Sequence, residues 1–518
     1  MPDQTVHPPV ASLAPGARDR PLIAVAVLAS FVAFLDGSVV NLALPAIAAD
    51  LPHTGLAGLA LQQWVVDGYL LGLGALILVA GAVSDQFGRL NVLRTGLAVF
   101  AVASVLCAVA PTGWVLVAAR CLQGIGAASL VPSSLAMINA RFTGAAQARA
   151  IGTWTAWTGT AFVVGPPLGG LLVDSLSWRW VFGINIIPLA VTMYLTTRLD
   201  SDKAGERRWG QIDFVGATLC AVGLSAAVFA LIEQQRLGMS HPAVAGGLAV
   251  GLACLLAFPF WERRTPNPMM PLHLFAARNF AVGNLATVFL YAAVSLGTLL
   301  VALFLQESVG LSATQAGLAT LPLPVLSFFL ARPFGALAGL HGPRAYMTVG
   351  PVIAAVGFLL LAFSRPAGNA PYDFWTQMLP GLVVFGVGLS ITVSPLTAAV
   401  LAAVDPAQSG IGSAVNNAVS RIAGLIAVAF AGVIIGAAGD SAFAPGDFAG
   451  FRRGALVVAA LFAVAGLISA VGISNARGDH RRVSPGEVAP SHDRATPPPA
   501  VARRGQPFER GRNTCSRS

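Results

Sequence analysis

The sequence predicts an all-α polytopic membrane protein with fourteen transmembrane helices. Of its 518 residues, 56% are hydrophobic and only 10% are charged, whereas a soluble protein carries about 25% charged residues. The charges cluster in short segments between long apolar runs, and about 20 apolar residues suffice to cross the hydrocarbon core as a helix. Lysine and arginine also concentrate in alternate connecting segments. Lipid is therefore the predicted solvent for most of the chain.

Fourteen apolar runs are long enough to span a bilayer. Glycine and proline are frequent within them, and membrane helices tolerate both because small residues let helices approach closely. The predicted spans cover approximately residues 22–45, 62–82, 91–110, 115–138, 151–173, 180–197, 214–232, 242–260, 280–305, 317–338, 347–363, 374–400, 411–437 and 454–474.

The distribution of basic residues predicts the orientation. If the N-terminus is cytoplasmic, the segments on that side hold fifteen Lys and Arg residues against five on the other, without the nine arginines of the C-terminal tail. Basic residues are retained on the cytoplasmic side of membranes. We therefore expect a multi-pass protein of the cell membrane (a bacterial inner membrane) with both termini cytoplasmic. The net charge of +9 then reflects topology, and no nucleic-acid partner is expected.

The two termini are expected to lie outside the membrane. Residues 1–20 are polar, and the first apolar run ends at no small-residue cleavage site, so it is predicted to be a transmembrane helix and not a signal peptide. The tail from about 475 is rich in Pro, Arg and Ser, which favours a disordered segment touching anionic lipid, with partner binding as the alternative.

Several classes of site are not favoured. The five cysteines form no CxxC pair, so neither a disulfide framework nor a zinc site is expected. The single lysine, Lys203, is followed by Ala204, which excludes a P-loop ATPase within this chain. The seven histidines offer no HExxH pattern, so a membrane-embedded enzyme or sensor is the less favoured class. No metal, cofactor or catalytic residue is predicted.

Asp36 is the most informative polar residue of the first span. It lies within FLDGSVVNLALP (34–45), five residues before Asn41. A charged residue at the bilayer centre raises the free energy of membrane insertion by about 2.5–3.5 kcal/mol, so we expect it to have a functional or structural role. Proton exchange is the functional interpretation, because intramembrane acids usually mark transport pathways. The alternative is a structural carboxylate hydrogen-bonded to a neighbouring helix.

Two further ionisable residues lie within predicted spans. Asp67 occurs in QWVVDGYLLG (63–72), closer to the outer interface, and a structural role is an equal alternative to proton exchange there. Arg120 opens RCLQGIGAASLVPSS (120–134), where Gln123 adds polarity. A guanidinium stays charged, so Arg120 must be paired or hydrated. The sequence does not say whether it meets Asp36.

The connection between the second and third spans reads GAVSDQFGRLNVLR (81–94). Asp85 and Arg89 are four residues apart, and Gly81 and Gly88 permit a tight turn between adjacent helices. A carboxylate such as Asp85 is stabilised at a helix N-terminus. A solvated loop is the alternative.

The fifth span contains GTAFVVGPPLGGLLVD (159–174). Proline interrupts the helical hydrogen-bond ladder, and paired glycines expose backbone. The segment is consistent with two interpretations, a kink in the helix or a face for close packing against another helix. The residues that carry this expectation are Gly165, Pro166, Gly169 and Gly170.

Together these stretches resemble the major facilitator superfamily, specifically its fourteen-span drug:proton antiporters, over about residues 22–474. The segments FLDGSVVNLALP, LVAARCLQGIGAA (116–128) and SWRWVFGINIIP (177–188) are similar to the family's first-, fourth- and sixth-helix motifs. GAVSDQFGRLNVLR matches the GxLaDrxGrrxxl loop, with Val83 and Asn91 as departures, and GTAFVVGPPLGG matches the antiporter motif gxxxGPxxGG. Five motifs in the right order make the resemblance specific.

The resemblance implies two six-helix bundles, residues 22–198 and 263–474, around a central cavity. Residues 199–262 would supply a cytoplasmic loop and two extra helices, between tails at 1–21 and 475–518. Transport would follow from rocking one bundle against the other. Asp85, Arg89, Gly81 and Gly88 would form a cytoplasmic gate. The related loop at 331–344 lacks the acid, which argues against a symmetric gate.

The resemblance further implies proton-coupled export of hydrophobic or cationic small molecules, with Asp36, Arg120 and Asp67 in proton coupling. The expected partners are substrate, protons and lipid, and the protein is expected to be monomeric. An importer, or an exporter of one specific metabolite, is the alternative function. The residues expected to line the cavity are Asn41, Trp64, Tyr69, Gln123, Trp154, Trp157 and Tyr291. For the aromatic residues among them, anchoring at the lipid interface is the alternative role.

Overall fold

Apolar helices dominate the structure, because a backbone in lipid must satisfy its polar groups internally. The computed structural model describes residues 19–51, 56, 58–199, 212–364, 372–405, 408–436, 442–446 and 448–475. Within these residues the α-helices are α1 (Arg20–Asp50), α2 (Gly58–Phe87), α3 (Arg89–Ala108), α4 (Gly113–Arg141), α5 (Gly144–Ser175), α6 (Arg179–Gly183), α7 (Ile186–Thr196), α8 (Phe214–Leu237), α9 (Pro242–Glu262), α10 (Arg278–Leu303), α11 (Ala313–Ala319), α12 (Pro322–His341), α13 (Arg344–Phe363), α14 (Phe374–Gln377), α15 (Leu379–Ala402), α16 (Ser409–Ala429), α17 (Ala431–Ile435) and α18 (Phe448–Gly472).

Fourteen segments of the described chain are long and apolar enough to cross a membrane, which confirms the predicted number. The sixth combines α6 and α7, the tenth combines α11 and α12, and the twelfth combines α14 and α15. A π-helical turn, Phe304–Ser308, extends α10. Large apolar side chains remain exposed on the surface, as lipid permits; Phe329, Leu340 and Val471 are 68%, 73% and 70% exposed.

Glycines bring α2, α3 and α4 into close contact. A Cβ atom at Gly72 of α2 would lie 2.5 Å from the carbonyl oxygen of Cys121 on α4. A Cβ atom at Gly126 of α4 would lie 2.8 Å from the backbone nitrogen of Phe100 on α3. Only glycine permits such an approach of two backbones. Arg120 on α4 is thereby held directly against α2.

The later helices pack mainly among themselves. Helix α10 packs on α16 and α18, and α15 packs on α12 and α13, whereas α8 and α9 pair with each other and α8 also contacts α2. The predicted division into bundles at residues 22–198 and 263–474 remains a prediction. Most of the predicted cytoplasmic loop (residues 200–211) lies outside the described residues. So do residues 1–18 of the tail predicted at 1–21 and residues 476–518 of the tail predicted at 475–518.

The transmembrane segments alternate in direction and so define two ends of the protein. We call these the Arg20 end and the Asp50 end, after the first and last residues of α1. The start of the sixth span lies at the Asp50 end, where the indole nitrogen of Trp178 donates to Oδ2 of Asp50 over 2.9 Å.

Candidate functional site

A buried ion pair joins α1 to α4. Nη1 of Arg120 lies 2.6 Å from Oδ2 of Asp36, and the two residues are 1% and 0% exposed. A charge-assisted hydrogen bond of this length is among the stronger polar contacts in proteins. The two residues that the sequence marked separately therefore form one site.

Three side chains donate hydrogen bonds to the Asp36 carboxylate. Arg120 bonds Oδ2, while Nε2 of Gln123 and Nδ2 of Asn185 each donate to Oδ1 over 2.9 Å. Asn185 lies at the junction of α6 and α7, and Gln123 also donates to the Ser104 hydroxyl over 2.9 Å. The acid is thus fully satisfied in its charged form.

Arg120 is held by contacts besides the acid. Its Nε donates to the carbonyl oxygen of Val65 over 3.0 Å, and Nη1 donates to Oε1 of Gln123 over 2.5 Å. The guanidinium carbon lies 4.4 Å from the ring centroid of Tyr69, a cation–π contact that is stronger when desolvated. A proton arriving at Asp36 would cancel one charge of the pair and leave the guanidinium to these remaining partners.

Asp67 is a second buried acid, and its surroundings are different. The residue is 0% exposed, and neither of its carboxylate oxygens has a hydrogen-bond partner among the described residues. Burying a charge without a partner is costly, so these surroundings favour the protonated, uncharged acid. The carboxyl group can become charged only if the structure around it opens.

Asp67 lies in a seam between α2 and α16. Gln63 and Gly74 share its face of α2, because they are four residues before and seven residues after it. Nε2 of Gln63 donates to the carbonyl oxygen of Val428 over 2.8 Å, and a Cβ atom at Gly74 would lie 3.5 Å from Cβ of Arg421. Separating these two helices would therefore expose Asp67.

Other contacts join the first six spans to the last six at the Asp50 end. Nε2 of Gln62 on α2 donates to Oε1 of Glu307 in the π-helical turn over 2.7 Å. The second oxygen of Glu307 accepts from the backbone nitrogen of Phe443 over 3.0 Å. One carboxylate therefore links three segments of the chain.

Asp174 at the end of α5 caps the start of α11. Its two carboxylate oxygens accept from the backbone nitrogens of Ala313 and Thr314 over 3.2 and 2.8 Å. A carboxylate at a helix N-terminus satisfies otherwise unpaired N–H groups. We call this cap and the Gln62–Glu307 bond the Asp50-end seal.

The glycine- and proline-rich segment of α5 contacts two helices. Helix α5 continues through Pro166 and Pro167. A side chain at Gly165 would overlap Ser38 of α1, one at Gly169 would lie 3.0 Å from the Val39 carbonyl oxygen, and one at Gly170 would strike α11. The carbonyl of Pro166 in turn lies against Gly317 of α11. These positions form a close-packing face.

The predicted gate loop is only partly described. Gly88 has a φ of 89°, a conformation that glycine adopts without strain, and it directly precedes α3. Arg89 is the first residue of α3, and Gly81 borders open space. The side chain of Asp85 lies outside the described residues, so the cytoplasmic gate that it is expected to form with Arg89 stays a prediction.

The predicted cavity residues lie in unlike surroundings. Gln123 and Tyr69 belong to the ion-pair network, and the indole nitrogen of Trp64 donates to Glu233 of α8 over 3.2 Å. The indole nitrogen of Trp154 donates to the Ser30 hydroxyl over 3.0 Å. The remaining members are Asn41 and Tyr291, both partly buried, and Trp157, which is 60% exposed.

The linings of two cavities include neither Asp67 nor any residue of the ion-pair network. One of about 490 Å³ lies near the Arg20 end, between α2 and the segment before α10, and its lining includes Gln86 and Asp213. One of about 470 Å³ lies beside Trp64 and α8. No group of three or more His, Cys, Asp or Glu residues able to hold a metal occurs within the part of the chain that is described.

Sequence reasoning missed Asn185, Glu233 and Glu307. The two glutamates carried a usable signal, because each is an acid within or directly after an apolar run. Asn185 lies in a recognised motif, SWRWVFGINIIP, but nothing in that motif indicates that its amide faces Asp36.

Comparisons with known proteins find relatives over most of the chain. A family model described as the Major Facilitator Superfamily matches residues 26–277 and 283–508. The multidrug resistance protein Stp of Mycobacterium tuberculosis is 33% identical over 411 residues, which cover 79% of this chain and 74% of Stp. The puromycin resistance protein pur8 of Streptomyces alboniger is 33% identical over 417 residues, covering 79% of this chain and 80% of pur8.

A solved structure shows the same fold. The auto-inhibited POT family peptide transporter superposes with a TM-score of 0.62 at 16% identity, covering 87% of this chain and 96% of that chain. At that identity the likeness concerns the fold alone. It confirms the predicted fold class for this multi-pass membrane protein.

Proposed function

Because the chain belongs to the major facilitator superfamily, whose members are transporters and not enzymes, we propose that it is a proton-coupled antiporter that exports hydrophobic small molecules, antibiotics included, from the cell. The observation that carries this proposal is the fully buried Asp36–Arg120 pair, together with a second buried acid, Asp67, that has no hydrogen-bond partner among the described residues. Relatives named for multidrug, puromycin and methylenomycin A resistance support the choice of substrate class.

The orientation follows from the basic residues. We place the Arg20 end in the cytoplasm of a bacterial cell, because the segments at that end carry the larger share of Lys and Arg. The Asp50-end seal then faces the outside, and the described conformation is closed to the exterior. Opening it would separate α2 from α16.

The two acids have different parts in the proposed cycle. When the Asp50 end opens, Asp67 meets outside water and can bind a proton, and closure then buries an uncharged acid. At Asp36, a proton competes with Arg120 for the carboxylate. Protonation of Asp36 therefore frees the guanidinium and loosens the packing of α1 on α4. Substrate would leave outward as protons bind and be collected inside once they are released.

The membrane potential supplies enough free energy for this exchange. One charge crossing 100 mV gains about 2.3 kcal/mol. At about 1.4 kcal/mol for each factor of ten, this supports a roughly fifty-fold substrate gradient. No ATP-binding loop is required.

The direction of coupling is testable with purified protein in lipid vesicles. Chloramphenicol is a suitable probe because it is uncharged, so a pH gradient alone does not trap it. An antiporter accumulates chloramphenicol in vesicles with an acidic lumen and loses this activity when nigericin collapses the gradient. A proton-driven importer, the alternative function, accumulates it in vesicles with an alkaline lumen. Equal uptake with and without a gradient would refute proton coupling.

A further inference from the structure

Arg421 is a second arginine deep within the membrane-spanning region. It follows Ser409, the first residue of α16, by twelve residues. At 1.5 Å per residue this places it about 18 Å along the helix from the Arg20 end. Headgroup phosphates lie beyond a hydrocarbon core of about 30 Å, roughly 15 Å from its centre. A lipid phosphate is therefore a poor counter-ion for Arg421.

The guanidinium of Arg421 has no acidic partner in the described structure. Its Nε is buried and makes no hydrogen bond to any described residue. Its guanidinium carbon lies 5.9 Å from the ring centroid of Phe34 on α1, the one cation–π contact that Arg421 makes among the described residues. A guanidinium stays charged at any physiological pH, and Arg421 is only partly buried, so its terminal nitrogens are open to water or to an anion.

The two buried acids Asp36 and Asp67 do not supply an anion for Arg421. Asp36 is committed to Arg120 at 2.6 Å. Gly74 is the residue of α2 that lies next to Arg421. Asp67 precedes Gly74 by seven residues, which is a separation of about 10 Å along the axis of α2. The charge of Arg421 therefore has no acid of the protein to balance it in the described structure, and an anionic ligand can take the place of water there.

The ring of Phe34, which lies near the Arg421 guanidinium, belongs to an aromatic cluster. The ring of Phe34 lies 5.6 Å from that of Phe162 and 6.5 Å from that of Trp154, both on α5. Phe162 is 45% exposed, so part of this aromatic surface is open. A guanidinium beside aromatic faces suits a planar molecule with a carboxylate or a similar anion, which it can bind through paired N–H donors.

We propose that Arg421 anchors a substrate site between α1, α5 and α16 for aromatic compounds that carry an acidic group. This inference rests on the exporter proposed above and adds aromatic acids to its uncharged hydrophobic substrates. Cationic compounds, which the sequence led us to expect, would meet the like charge of Arg421. An acidic substrate leaving in exchange for an incoming proton also moves two charges, so the membrane potential drives its export more steeply than that of a neutral one.

Binding of two dyes to the purified protein tests this assignment. Fluorescein and rhodamine 123 share a xanthene ring system, but the first is an anion and the second a cation. Their fluorescence anisotropy would be measured with wild type, Arg421→Gln and Arg421→Lys. Arg452→Gln is the matched control, because Arg452 is an exposed arginine that stacks over Phe363 at 5.1 Å. Gel filtration verifies that each variant is folded.

We expect the Kd for fluorescein to rise at least tenfold in Arg421→Gln, to change only a few-fold in Arg421→Lys, and to stay the same in Arg452→Gln. Rhodamine 123 should not bind more weakly to Arg421→Gln. Unchanged fluorescein binding in Arg421→Gln, equal loss of both dyes, or wild type that binds only rhodamine 123 would overturn the proposal. The dye-binding assay uses no proton gradient. A result against the Arg421 site is therefore distinguishable from a result against proton-coupled antiport, which the chloramphenicol assay tests.

Discussion

Arg120 and Asp36, 84 residues apart in the sequence, meet at 2.6 Å with both side chains excluded from solvent. Both acid oxygens accept hydrogen bonds, and the guanidinium also reaches the Val65 carbonyl and the Tyr69 ring. The pair is therefore stable in the conformation described. Only a change in the charge of one member gives a strong reason for α1 and α4 to separate.

Removing one member of this pair should destabilise the protein more than removing both. Arg120→Gln leaves a buried carboxylate without its counter-charge, and breaking a buried pair in this way costs about 3–5 kcal/mol. The double variant Asp36→Asn with Arg120→Gln should recover part of that loss. Thermal unfolding in detergent measures both, with Arg452→Gln as the exposed-arginine control. A double variant less stable than either single variant would contradict this reading of the pair.

Replacing Asp67 should have the opposite effect on stability. This acid is buried with no partner among the described residues, so Asp67→Leu removes a desolvation cost of about 1–3 kcal/mol. We expect a higher unfolding temperature together with loss of proton-coupled transport. Asp67→Asn, which keeps the size of the side chain, should also lose transport. A fall in unfolding temperature for Asp67→Leu would show that the carboxyl has a stabilising partner.

Weakening the Asp50-end seal should open that end more often. Asp174→Ala removes the acceptor for two N–H groups of α11, and losing such a cap costs about 0.5–2 kcal/mol. A cysteine placed at Gln63 on a cysteine-free background should then react several-fold faster with an impermeant maleimide. The matched control is Asp373→Ala, because Asp373 caps α14 within its own segment. Equal acceleration in both variants would argue against a specific seal.

The close contact of α3 with α4 should not tolerate a methyl group. Gly126→Ala places a Cβ atom 2.8 Å from the Phe100 backbone nitrogen, so the helices must shift and move Arg120 with them. We expect lower thermal stability and weaker transport. Gly152→Ala on α5 meets nothing within 4 Å and should keep or raise stability, since alanine favours helix by about 1 kcal/mol. Similar losses in both variants would contradict this explanation.

The sequence predicted the helices well, because an apolar run of sufficient length has few other stable structures. It also identified Asp36, Asp67 and Arg120 as candidate functional residues, because an ionisable side chain within the membrane is costly to insert, and that role stays a prediction. It did not predict which partner each residue meets. Helix rotation and crossing decide that Asp36 is paired and Asp67 is not, and these depend on the glycine contacts between distant helices.

Polar residues at helix ends were the harder part. Asn185 occurs where α6 gives way to α7, and Glu307 occurs in a π-helical turn just beyond the predicted ninth span. Neither helix interruption has a clear sequence signal. Arg421 was visible as a charge within a span, but its lack of a partner is a property of the packed structure.

The most direct measurement compares Asp36→Asn with Asp50→Asn in vesicles under an imposed pH gradient. Asp50 is an acid on the same helix, at its exposed end and bonded to Trp178, so it controls for loss of one carboxylate. Wild type and Asp50→Asn should accumulate chloramphenicol in an acidic lumen, whereas Asp36→Asn should only equilibrate it. If Asp36→Asn accumulates chloramphenicol against its gradient as wild type does, Asp36 is not the coupling acid and the account is wrong.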